Sequence, residues 1–280
     1  MDLKCWSVIA VQGKPRPRGR VLAALLGLGL LLAAPLAWSQ GACSGRIVDA
    51  GEGTYYGYTP ATGNCSFTDD ASPLVAAMNA TDYAASKMCG QCVRVTGPNG
   101  SVDVRIVDQC PECANGDIDL NQAAFERIAN LAAGRVPITW RTIPCPVTGS
   151  QSFYVQPGGS SFFANLQVRD HRYGIAKVEY LTPTGYVTLP RQTFNYFTIA
   201  GPQVPVPIPA TYSVRVTDVN GSVLVQNGLT VNPGVTQPGS GQFPLCADDL
   251  PVASVPALGP AALAVLAVLL VAIGIARRAR

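Results

Sequence analysis

The cysteines constrain this chain more tightly than any other feature. Nine are present, and eight of them fall between Cys43 and Cys246. Cys89-Gly90-Gln91-Cys92 is followed after 17 residues by Cys110-Pro111-Glu112-Cys113. That spacing fits a four-thiolate zinc site in a reducing compartment and a disulfide framework in an oxidising one. The choice rests on where the chain resides.

The chain ends answer that. Lys14, Arg16, Arg18 and Arg20 precede an apolar run from Val21 to about Leu36, and Ala37-Trp38-Ser39 follows with small residues at its first and third positions. This is the pattern of a secretory signal peptide spanning residues 1–39. Cys5 leaves with it, and an even eight remain for disulfides in an oxidising environment, with no metal or other cofactor expected. At the other end, Ala257 to Ala276 is uncharged over 20 residues and is closed by Arg277, Arg278 and Arg280 in a basic tail, 277–280. Such a stretch is long enough to span a bilayer with its arginines on the cytoplasmic side. Val255-Pro256-Ala257-Leu258 before it resembles the C-terminal sorting tags of Gram-negative bacteria, which a membrane protease removes. The membrane contact is then transient, a plain anchor being the alternative. The expected location is secreted or at the cell surface.

Charge excludes one class of function. Between residues 40 and 259 there are 12 Lys or Arg against 16 Asp or Glu, a net −4. No polybasic patch remains to neutralise phosphates, so nucleic acid is not an expected partner.

The 220 residues between the end segments suggest two domains. Val93, Val95 and then Val102, Val104, Ile106 alternate about Pro98-Asn99-Gly100, and Tyr212, Val214, Val216 and then Val223, Val225 alternate about Asn220-Gly221. Both patterns predict β-hairpins. One helix is predicted from Asn121, its N-cap, to Ala133, with Gly134 as the stop and a strand through Val136, Ile138 and Trp140. The spacing places a first β-rich domain at 43–145, a β-sandwich at 147–232, and a Pro/Gly/Ser-rich flexible stalk at 233–256. His171, the single histidine, is expected at a solvated strand end.

Asp108 closes the run Val104-Arg105-Ile106-Val107-Asp108, and Asp119 stands in Asp117-Ile118-Asp119-Leu120. Acids at such places commonly cap backbone amides. Two at the ends of neighbouring elements can also face one groove. Together with Gly53-Thr54-Tyr55-Tyr56-Gly57 and Cys89-Gly90-Gln91-Cys92, these segments resemble the first domain of expansins. Ser160-Ser161-Phe162-Phe163-Ala164-Asn165-Leu166-Gln167-Val168-Arg169 and Thr193-Phe194-Asn195-Tyr196-Phe197 resemble the second domain of bacterial expansins. The resemblance covers roughly residues 50 to 232.

The resemblance implies an all-β chain, a six-stranded double-psi β-barrel followed by an immunoglobulin-like β-sandwich. It implies that Thr54, Tyr55, Asp108 and Asp119 line a sugar-binding groove, with Asp119 as the essential acid. It implies that Phe162, Phe163 and Phe194 form an aromatic row that stacks on glucan rings. Adjacent strand residues point to opposite faces, so at least one of Phe162 and Phe163 should be exposed. Related barrels imply the pairs Cys65–Cys89 and Cys92–Cys145, with Cys110–Cys113 and Cys43–Cys246 left to pair.

The implied partner is cell-wall polysaccharide: cellulose, a related β-glucan, or peptidoglycan. Glycosidases need two carboxyl groups in opposed roles. In the related endoglucanases the second follows the threonine that matches Thr54, whereas Thr54-Tyr55-Tyr56-Gly57-Tyr58 holds no carboxylate. The expected activity is therefore loosening without hydrolysis. A lytic enzyme and a pure carbohydrate-binding or adhesion protein are the alternatives. Two departures stand out. Cys110 replaces an aromatic common in bacterial expansins, and the aromatic row is all phenylalanine, without the polar handle of Trp or Tyr.

Overall fold

The computed structural model describes residues 43–60, 62–68 and 72–250. The signal-peptide region, the apolar segment 257–276 and the basic tail lie outside the described residues. Among those described, no helix is long and apolar enough to cross a membrane.

Six strands close a barrel: β1 (Val48–Tyr56), β2 (Val75–Asn79), β3 (Cys92–Gly97), β4 (Gly100–Cys110), β5 (Ile118–Asn121) and β6 (Val136–Ile143). Their order is β1-β5-β2-β4-β3-β6, with β6 returning to β1. The pairs β1/β5 and β2/β4 are parallel and the rest antiparallel. Alternation fills the interior: Val93 and Val95, then Val102, Val104 and Ile106, then Val136, Ile138 and Trp140 all turn inwards. The parallel register sets Thr54 directly beside Asp119.

The helix expected over 121–133 is cut short. Asn121 caps a single turn, α1 (Gln122–Phe125), through a bond from the Ala123 amide, and a 3₁₀ turn follows at Leu131–Ala133. Two competing bonds explain the break. The Ile128 carbonyl accepts from the Asn99 amide at 2.8 Å, and the Asn130 side chain opens a new cap on the Ala132 amide at 2.9 Å. Phe125 and Ile128 stay fully buried and plug the barrel.

Eight strands follow in two four-stranded sheets. One has the order β10 (Gly185–Thr188), β9 (Ile175–Thr182), β12 (Tyr212–Asp218), β13 (Val223–Leu229). The other has the order β11 (Phe197–Ala200), β8 (Phe163–Arg169), β7 (Ser152–Val155), β14 (Thr236–Pro238). Phe153, Leu166, Val178, Phe197, Val214 and Phe243 belong to the core between them.

The stalk expected at 233–256 is corrected over its described part. Thr236–Pro238 pairs with β7, Phe243 is fully buried, and Cys246 is bonded to Cys43. Prolines and glycines here shape a chain laid against the sandwich, held by one apolar anchor and one covalent link.

Polar contacts join barrel and sandwich. The Gln91 side chain bridges the Ile143 carbonyl at 2.7 Å and the Gly174 amide at 2.6 Å. The Gln167 and Asn195 amides both donate to the Cys65 carbonyl, at 3.0 and 3.2 Å. His171 belongs to this junction and is buried, which corrects its expected exposure. Its Nδ1 is 2.7 Å from the Tyr173 carbonyl, and burial, then the Arg105 charge, push its pKa down to about 3. The ring is neutral and structural. Gly90 makes room for it, since a Cβ there would lie 2.6 Å from His171 Cε1 and Nε2.

Candidate functional site

Strand β1 brings Thr54, Tyr55 and Tyr56 to the mouth of the barrel, and β5 brings Asp119 alongside. Thr54 Oγ1 donates to Asp119 Oδ1 at 2.6 Å. The two line an open cleft of about 380 Å³ whose other walls include Tyr55, Glu112, Arg135 and the Cys110–Cys113 disulfide. Desolvation raises the Asp119 pKa above the ordinary carboxylate value. The Thr54 hydrogen bond opposes that shift, Glu112 and Asp108 add to it, and Arg135 counters it. Tyr55 is partly exposed at the cleft edge, its ring 5.0 Å from Phe125.

Asp108 does a different job from Asp119. Its Oδ1 accepts from the Asn64 amide at 2.6 Å and from the Gln109 amide at 2.8 Å. It pins the loop after β1 to the end of β4, outside the cleft lining, and its charge adds to the upward pKa shifts of Asp119 and Tyr56. Asp117, next to the site in sequence, is spent on the fold: it accepts from the Glu52 amide at 2.8 Å and the Ala114 amide at 3.2 Å.

Three residues were missed by the sequence reading. Tyr56 Oη is buried, and no hydrogen-bond partner for it lies among the described residues. Its pKa is raised by burial first and then by the charges of Asp108 and Asp119. The signal was available, because Tyr56 lies two residues from Thr54 and so on the same face of β1. Glu112 and Arg135 enter through a turn and a loop, which no strand periodicity marks.

The Cys65–Cys89, Cys92–Cys145, Cys110–Cys113 and Cys43–Cys246 disulfides are all formed, so the two CxxC motifs are not a zinc site here.

On the sandwich, Phe162 is 64% and Phe163 46% exposed. Both stand at the turn into β8, where Ser160 bonds back to Phe162 and Phe163. Phe194 is half-buried, its ring 5.8 Å from Tyr196. The turn that carries it meets the barrel: Tyr83 Oη donates to the Thr193 carbonyl at 3.0 Å, and Asn64 Nδ2 reaches the same oxygen at 3.1 Å. Phe194 thus stands on a turn bonded to Asn64, whose amide Asp108 holds.

A closed double-psi barrel with an acid-bearing cleft, bonded to a sandwich with surface aromatics, defines a two-domain architecture that known proteins share. A family described as lytic transglycolase matches residues 50–140. Expansin-YoaJ of Bacillus subtilis is 31% identical over 181 residues, covering 61% of this chain and 75% of that protein. Expansin-like protein 2 of Dictyostelium discoideum is 31% identical over 189 residues, 62% of this chain and 46% of that one. Crystal structures of a Clavibacter michiganensis expansin, without ligand and as a mutant in complex with cellohexaose, match with a TM-score of 0.64 at 30% identity. The match covers 71% of this chain and 100% of theirs. The chain belongs to the expansin family.

Proposed function

We propose that this protein binds cell-wall polysaccharide outside the cell, cellulose or a related β-glucan, and loosens it without hydrolysis. The observation that carries this is the Thr54–Asp119 pair in an open cleft on a chain whose second domain exposes Phe162 and Phe163. Thr54 occupies Asp119 Oδ1, which leaves Oδ2 to accept a sugar hydroxyl as a charge-assisted bond. The phenylalanine rings take the apolar faces of the sugar rings. Gripping one strand at both places competes with its contacts to neighbouring strands, and no covalent bond changes. In this reading residues 1–39 export the protein, the barrel and the sandwich, the latter including 236–246, form its two working domains, and the apolar segment near the C-terminus gives a membrane contact.

The rival reading is cleavage of peptidoglycan or glucan. It draws on the family matched by the barrel and on the raised Asp119 pKa, which suits a general acid. One experiment separates them. The protein is incubated with cellulose paper and, separately, with purified peptidoglycan, and paper strength, reducing sugars and muropeptides are measured. Weakened paper with no released product is expected, and Asp119→Asn should abolish the weakening. Soluble products lost in the same variant would establish cleavage instead.

A further inference from the structure

The outer face of β8 reads Phe163, Asn165, Gln167, Arg169, since alternate residues share a face and Ala164, Leu166 and Val168 fill the core. Gln167 and Arg169 lie under the barrel, bonded to the Cys65 carbonyl and Thr68. Phe163 is open to solvent. Asn165 stands between these two zones, and it belongs to a line of side chains that crosses the sheet.

Gln192 Nε2 donates to Thr198 Oγ1 at 2.9 Å, Thr198 Oγ1 donates to Asn165 Oδ1 at 2.8 Å, and Asn165 Nδ2 donates to Gln156 Oε1 at 2.8 Å. Asn165 and Thr198 are register partners of β8 and β11, two residues and so one same-face step from the Phe163–Ala200 pair. Gln156 continues β7 opposite Asn165, its amide bonded to the Asn165 carbonyl at 2.9 Å. Every bond in the line points the same way. Capacity is left over: two N–H groups on Gln156 and the Gln192 side-chain carbonyl oxygen, with a second N–H on Asn165, which is itself buried. Among the described residues no other side chain takes them. Gln156, Thr198 and Gln192 are half-buried, so they remain reachable.

We propose that Gln192, Thr198, Asn165 and Gln156 form a sugar-hydroxyl site between the aromatic stations at Phe194 and at Phe162 and Phe163. The proposal rests on the polysaccharide reading above and extends it to new residues. A sugar ring stacked on Phe163 projects its hydroxyls sideways in the ring plane. The amide row begins one same-face step along β8, about 7 Å away, within reach of that edge. Phe163 can contribute only an apolar face, and the row supplies the donors and acceptors that a Trp or Tyr would have carried on its own ring. Recognition is then of hydroxyl edges, and the ligand class is an unsubstituted, hydroxyl-rich glycan.

The test uses depletion isotherms of the mature protein on microcrystalline cellulose and on O-methylated cellulose, which keeps the ring faces and lacks most hydroxyl donors. Wild type should bind the methylated material several-fold more weakly; equal binding to both overturns the proposal without any variant. The Gln156→Met/Gln192→Met variant keeps apolar stems and removes the free amides. Two lost neutral hydrogen bonds should weaken binding to plain cellulose roughly five- to 150-fold. Its preference for plain over methylated cellulose should shrink, with the thermal midpoint kept within a few degrees. A double variant that binds and discriminates like wild type overturns the proposal. Phe162→Ala/Phe163→Ala is run in parallel to keep the two readings apart. Binding lost there and kept in the Met variant sinks the amide row alone, binding lost in the Met variant and kept there sinks the aromatic row alone, and binding kept in both sinks both.

Discussion

Removing both exposed rings, Phe162→Ala/Phe163→Ala, has an effect that can be worked from their surfaces. A phenylalanine offers about 150–250 Å² to be covered. At 64% and 46% exposure, the pair presents roughly 220 Å² to solvent. Stacking on a flat lattice covers about half of that, which at about 25 cal/mol per Å² is close to 2.5–3 kcal/mol. The double variant should therefore bind cellulose about a hundredfold more weakly. Its folding stability should hardly change, because neither ring belongs to the packed core. Phe197→Ala is the matched control: Phe197 is 1% exposed in the sandwich core, and its loss should cost about 3–5 kcal/mol of stability. Binding is read from depletion isotherms and stability from urea unfolding. A double variant that unfolds as easily as Phe197→Ala, or that binds within threefold of wild type, refutes the reasoning.

Asp119 should make the fold pH-sensitive in a definite direction. Its pKa is raised in the folded state, so as pH climbs from the unfolded to the folded value the native form retains a proton that the unfolded chain has lost, and stability falls. Asp119→Asn should be at least as stable as wild type at neutral pH and lose any advantage in acid, checked by melting curves across pH; a variant less stable at neutral pH contradicts the burial argument. Gly90→Ala should destabilise by roughly 1–3 kcal/mol in urea, because Gly90 has φ +75° and an added Cβ would meet the His171 ring. Cys43→Ser/Cys246→Ser opens a link of sequence separation 203 and should cost about 2–4 kcal/mol, read from the urea midpoint with the other three disulfides intact.

Strand pairing was legible wherever alternation met a turn signal. The β3–β4 and β12–β13 hairpins follow from valines on one face and from Asn-Gly pairs that accept the tight reversal. The parallel pairing of β1 with β5 was not, since it joins segments about 65 residues apart with no local signature. That pairing is what makes Thr54 and Asp119 one site. Composition misled at 233–250, where a single Phe243 and a single Cys246 outweigh a Pro/Gly-rich setting. His171 misled because its flanking charges suggest solvent, and only the apposition of two domains covers it. Tyr56 was quoted in the motif yet unassigned, because its role depends on two acids that arrive from other strands.

The junction gives these parts a common logic. Gln91, Gln167, Asn195 and His171 are all buried there, and polar contacts in such places contribute little net stability relative to well-packed apolar groups. What they contribute is direction: each bond can be satisfied in one relative placement of the two domains, and a sliding apolar contact would permit many. A protein that acts by binding alone gains from this. In the proposed reading the cleft and the exposed phenylalanines each offer a modest grip, and holding them at one fixed offset makes the second grip intramolecular once the first has formed. The offset then selects for a polymer whose repeating rings reach both places at once. A short oligosaccharide that fills only the Asp119 cleft, or only the phenylalanine row, loses that gain.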